Sequence, residues 1–197
     1  MVDTVNIGRR LFLGGTGKSV LSATAVALLA GCESMARNAS TGGAQGDAAQ
    51  DVAILNTALG LEHEAIGAYQ LGAESGFLAK PVLQTAVLFQ SQHKEHRDAL
   101  AGTIKMLGGA AVDSKTLNEY GAALGAGGLK SQTDVLRLAA KLEKGAANAY
   151  LGVIPAFLDP DLAQVSGRLA ADETMHWTVL ASALGDSLPT QALSFGA

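Results

Sequence analysis

Four stretches of this 197-residue sequence carry carboxylates or imidazoles at positions that a helix would bury. Glu62 falls in the steps Leu55, Leu59, Glu62, Ile66 and Tyr69, and Glu143 lies between Ala139 and Ala147 with Tyr150 following. His93 and His96 interrupt Phe89 and Leu100, while Glu173 and His176 fall between Leu169 and Leu180. Steps of three and four trace one helix face, so each polar group sits on an apolar seam. An isolated carboxylate there is costly and tends to protonate instead. A shared cation would hold several of them ionised in one place. Taken singly, a seam Glu reads as an ion-pair or helix-end residue, a seam His as a hydrogen-bonded core residue. Three of the four histidines share these seams, and the joint pattern points to a metal site.

The seams also repeat. Residues 61–69 and 142–150 both read L-E-x-x-A-x-x-A-Y. In each copy a His follows the Glu on the next helical run, His96 after Glu62 and His176 after Glu143, and a Leu stands four residues beyond it. One helical hairpin has been used twice. Tyr69 and Tyr150 hold equivalent places and read either as electron relays or as packing.

Positioning these residues takes four amphipathic helices of about 20 to 27 residues with no strand pattern between them, hence an all-α bundle. Asp159-Pro160 has the form of a helix start, and Gly108-Gly109 and Gly185 read as stops. Short turns near residues 76–81 and 155–160 make each hairpin antiparallel. Between the hairpins lies a long Gly- and Ala-rich stretch, 108–130, the span expected of a crossover along the bundle.

One Glu from each of two helices plus Glu-x-x-His from each of the other two is the di-iron or di-manganese pattern of the ferritin-like superfamily. Over residues 51–186 the chain resembles that superfamily, and looks most similar to exported ferritin-like proteins of the desiccation-related type. The resemblance implies a four-helix bundle of two repeated hairpins joined by a long crossover. Glu62 and Glu143 match the single-Glu helices, and Glu173 with His176 matches Glu-x-x-His. The second helix departs, with His93 where the family has Glu. The implied ligand set is therefore Glu62, His93, His96, Glu143, Glu173 and His176, three carboxylates and three imidazoles, suited to iron, manganese or zinc. One metal ion and two are both compatible with the altered position. Glu64 and Glu95 fall off the seams.

Two functions follow from the resemblance. The first is a di-iron centre reacting with oxygen or peroxide in envelope stress protection. The second is a non-catalytic metal-binding or structural envelope bundle with a degenerate site, which the missing Glu favours.

The N-terminus reads as an address. Arg9-Arg10 before an apolar run, Val20 to Ala30, resembles the twin-arginine export signal. The run is short of the roughly 20 apolar residues of a membrane span. It ends in Leu29-Ala30-Gly31-Cys32, similar to the bacterial lipobox, so residues 1–31 are expected to be a signal peptide and Cys32 to be lipidated. The implied partners are the twin-arginine export machinery and a membrane, with the folded part on its periplasmic or cell-surface face. Removing 1–31 leaves 11 basic against 17 acidic residues, about −6, with no footprint for nucleic acid. Residues 32–50 read as a flexible tether and 187–197 as a tail. A single Cys excludes a disulfide framework within the chain.

Overall fold

A computed structural model describes residues 44–196. The signal segment, Cys32 and most of the expected tether lie outside the described residues. Five α-helices follow in order: α1 Ala44–Glu74, α2 Lys80–Met106, α3 Leu117–Ala123, α4 Gln132–Val153 and α5 Pro160–Leu184. No strand occurs among the described residues, and no described helix is long and apolar enough to cross a membrane. The described residues form an all-α helical bundle.

Local chemistry places the helix ends. Asp159 caps α5 by accepting from the Asp161 backbone N–H at 2.8 Å, with Pro160 in the first turn. Gly185 closes the same helix at φ +71°, where a Cβ would be strained. Ser131 caps α4 by accepting from the Asp134 N–H. Helix α1 begins at Ala44, inside the stretch that reads as tether. Gln50 and Asp51 belong to the fold there: the Gln50 amide donates to the Ala156 carbonyl, and the buried Asp51 carboxylate accepts from the backbone of Leu158 and Asp159.

The crossover is more structured than a loop. It carries α3, begun by a reciprocal cap between Thr116 and Glu119. The Asn56 side chain holds its start, donating to the Ala110 carbonyl and accepting from the Val112 N–H, both at 2.8 Å. Further on, Tyr120 packs so tightly against Gly67 that a Cβ there would lie 2.7 Å from its ring.

Two apolar clusters cap a polar layer. One contains Leu55, Leu59, Leu100, Ile104, Tyr150 and Leu162. The other contains Tyr69, Phe89, Leu136 and Leu180. Helices α1 and α5 run from the first cluster to the second, and α2 and α4 run back. The crossover must therefore travel the length of the bundle, because α2 ends beside the first cluster and α4 starts beside the second. The tail is folded too. The Phe195 ring meets Trp177 edge-on at 5.2 Å, and the Gly196 N–H donates to Asn148.

Candidate metal centre

Where each long helix passes between the two clusters, it delivers its polar residues. Glu62, His93, Glu143, Glu173 and His176 are each at most 2% exposed, and His96 is 8% exposed. The six form two overlapping quartets, Glu62-His93-His96-Glu173 and His93-Glu143-Glu173-His176, within each of which the ligand atoms lie within 4.8 Å of one another. Thus all six residues read as ligands from the sequence meet in one place. Glu95 is exposed, Glu64 is half-buried, and neither joins a quartet.

Glu173 and His93 stand at the centre. The Glu173 Oε1 lies 3.4 Å from His96 Nδ1 and 3.8 Å from His93 Nδ1, and its Oε2 lies 3.4 Å from His176 Nδ1. Neither oxygen has a hydrogen-bond partner among the described residues, nor does His96 Nδ1. Such unsatisfied buried groups are rare and need a physical reason. His93 spans the halves, with Nδ1 2.8 Å from Glu62 and Nε2 3.2 Å from Glu143.

The outer contacts aim these ligands. His176 Nε2 donates to Gln92 Oε1 at 2.8 Å, which leaves the Nδ1 lone pair facing Glu143 at 3.3 Å and Glu173 at 3.4 Å. Lone pairs converge there unless a proton or a metal ion lies between them. His96 likewise turns Nδ1 inward, with Nε2 3.4 Å from the half-exposed Asp172. The tyrosines cross over: Tyr69 donates to Glu143 and Tyr150 to Glu62, so each repeat's hydroxyl holds the other repeat's carboxylate. Gln92 and Asp172 escape the sequence reading because both are partly exposed polar residues off the seam.

Without metal, the layer is a protonated network. Burial opposes the charge of Glu62, but His93 and His96 pull its carboxyl down to about 2. Burial works against a charged His96 as well, and the carboxylates of Glu173 and Glu62 outweigh it, holding its pKa at about 10. Glu173 is pushed up to about 7 by burial, against the pull of His93. His93 also rises well above its ordinary value, burial being overcome by Glu173 and Glu62.

The donor set fits a buried metal site whose two quartets are unequal. Glu62, His96 and Glu173 serve one quartet, and Glu143, His176 and Glu173 serve the other. A neutral imidazole offers one lone pair, so His93 can complete one half only. Gln92 tests the positioning. We expect Gln92→Leu to weaken metal binding roughly 10–100-fold, the usual cost of losing an outer partner, with helical content unchanged. Unaltered affinity in a metal titration would remove Gln92 from this role.

A family model for a ferritin-like domain matches residues 50–186, more than half of the sequence, so the chain belongs to that family. One similar solved structure is the crystal structure of a conserved hypothetical protein, rv2844, from Mycobacterium tuberculosis. It is 21% identical, with a TM-score of 0.59, over 76% of this chain and 99% of that one. That likeness is one of fold. No curated protein matches the sequence.

Proposed function

We propose that this ferritin-like protein is exported, anchored to the membrane through a lipidated Cys32, and holds two metal ions that react with dioxygen or peroxide in the cell envelope. Iron is the first candidate and manganese the redox-active alternative; zinc, which has no redox chemistry, would fit only a bundle that binds without turnover. One observation carries the metal reading: two ligand quartets share a fully buried Glu173 whose oxygens have no hydrogen-bond partner among the described residues.

When bound, a pair of redox-active ions supplies the electrons that reduce the oxidant. The chain's own residues do the rest. Glu62, Glu143 and Glu173 supply negative charge, and His96 and His176 present Nδ1 from fixed orientations. Tyr69 and Tyr150 keep the two repeat carboxylates from turning away. The apolar clusters above and below exclude bulk water. His93, an imidazole in place of a carboxylate, lowers the negative charge of the set by one. That favours, as second reading, a metal-binding bundle that holds its ions without turnover.

Oxidation of the Fe(II)-loaded chain separates the two. Absorbance changes on adding oxygen or peroxide, lost in Glu143→Ala, support the oxidase reading, and an inert loaded chain leaves the binding bundle. Binding should also depend on pH. Metal requires neutral imidazoles and ionised carboxylates, whereas the metal-free layer holds protons on His93, His96 and Glu173 near neutrality. Affinity is therefore expected to rise from pH 6 to pH 8, with protons released into a weak buffer. Flat affinity over that range would contradict this.

Export is supported by the order of Arg9-Arg10, the apolar run and Cys32. Fatty-acid labelling of the full chain is expected to be lost in Cys32→Ala, and export lost when both arginines become lysine. Labelling that survives Cys32→Ala would refute the anchor.

A further inference from the structure

An apolar pocket of about 70 Å³, open at its mouth beside the half-exposed Val179, adjoins the polar layer at the Tyr69 end. Its walls include Tyr69, Gly72, Val82, Ala86, Ala139 and Leu180. The Tyr69 ring is shared between pocket and metal centre: it lines the cavity, lies 5.4 Å from the His93 ring, and its hydroxyl donates to Glu143. The repeat sharpens the contrast. At the opposite end Val153 takes the place of Gly72 and Ser166 that of Ala86. Ser166 is buried and donates to the Tyr150 carbonyl, and Tyr150 is fully enclosed in an apolar cluster with Phe157 and Ile104. The Tyr150 end of the bundle is filled, and the Tyr69 end keeps a pocket between the two hairpins.

The walls select the occupant. The polar groups that reach the cavity are already engaged, the Thr85 hydroxyl with the Pro81 carbonyl and the Tyr69 hydroxyl with Glu143. A guest with O–H or N–H groups would leave them unsatisfied, at a cost. Apolar cavities take apolar guests, and one of roughly 150 Å³ accepts benzene. Half that volume suits a diatomic molecule.

We infer that this pocket binds dioxygen beside Tyr69, which makes dioxygen rather than hydrogen peroxide the oxidant the chain gathers. The inference rests on the oxidase reading for its use, but the pocket can be tested without metal. Dioxygen is paramagnetic, so methyl relaxation in the metal-free full chain under oxygen pressure reports where it resides. The methyls of Leu136 and Leu180, which line the pocket and are buried, are expected to show the strongest enhancement among buried methyls. The enhancement should fall several-fold in both Ala139→Leu and Ala86→Leu, which place an isobutyl group against the cavity, while hydrogen peroxide shifts none of these signals. Uniform enhancement over all buried methyls, its persistence in both filled variants, or equal perturbation by peroxide would overturn the inference. Failure of the metal reading would appear separately, as a chain that binds no metal while these methyls still respond to oxygen.

Discussion

Replacing Glu173 by Gln is expected to cost metal binding at both halves of the site while making the metal-free protein more stable. The carboxylate is shared by the two quartets and is fully buried. An amide in its place keeps the shape and removes the charge, so both ions lose a ligand. Affinity should fall by at least roughly 100-fold, since loss of an outer partner alone costs up to that much. The stability effect has the opposite sign. Burial raises the Glu173 carboxyl from 4.5 to about 7, so folding disfavours its ionised form. That penalty is absent below the unfolded value, grows between pH 4.5 and about 7, and is complete above. The Glu173→Gln substitution would remove a cost on the order of a few kcal/mol. Near pH 7.5 the metal-free variant should melt roughly 3–10 °C higher, and near pH 4 at the wild-type temperature. His176→Ala and His96→Ala, each in one quartet, should instead lose one ion. A Glu173→Gln chain with full metal content, or one less stable without metal at pH 7.5, would refute Glu173 as the shared ligand.

The second large effect is the gain from metal itself. Buried like charges that face each other through Glu62, Glu143 and Glu173 are relieved when cations replace the protons. A ligand at 100 to 1,000 times its dissociation constant stabilises by about 2.7–4 kcal/mol per site. Two sites should then raise the melting temperature by roughly 10–30 °C in a domain of this size. A chelator should reverse the gain, and Glu173→Gln should show little of it. Calorimetry on the same preparation with and without Mn(II) or Fe(II), kept anaerobic, reads this directly. A shift within a degree or two would mean that the polar layer does not take up these ions.

Much of this architecture is legible in the sequence because the same pattern occurs twice. The repeated L-E-x-x-A-x-x-A-Y places Glu62 and Glu143, and the steps around Phe89, Leu100, Leu169 and Leu180 place the histidines and Glu173. Periodicity says which face is buried, and burial of a charge demands a partner. The long crossover also follows, since the Gly- and Ala-rich stretch 108–130 is far longer than a turn between neighbouring helices needs. Helix α3 does not follow: it is short, set among Gly and Ala, and held by the packing of Tyr120 against Gly67, while Asn56 holds the start of the crossover. The start of α1 is hidden for a related reason. Gln50 and Asp51 are polar residues whose partners, the Ala156 carbonyl and the Leu158 and Asp159 amides, lie at the far hairpin turn. The crossed bonds of Tyr69 to Glu143 and Tyr150 to Glu62 join different repeats, and no spacing within one repeat encodes them. Gln92 stands one residue before His93, where helical periodicity turns it partly to solvent.

The unequal halves of the site lead to the most direct test. Metal content per chain should be measured by mass spectrometry on protein purified without a polyhistidine tag and titrated anaerobically with Fe(II). We expect two ions per chain at saturation, entering in two steps, because His93 completes only one half. A chain that retains no metal, with melting unchanged by addition of the ion, would contradict the metal centre and leave a structural bundle with a proton-shared polar layer.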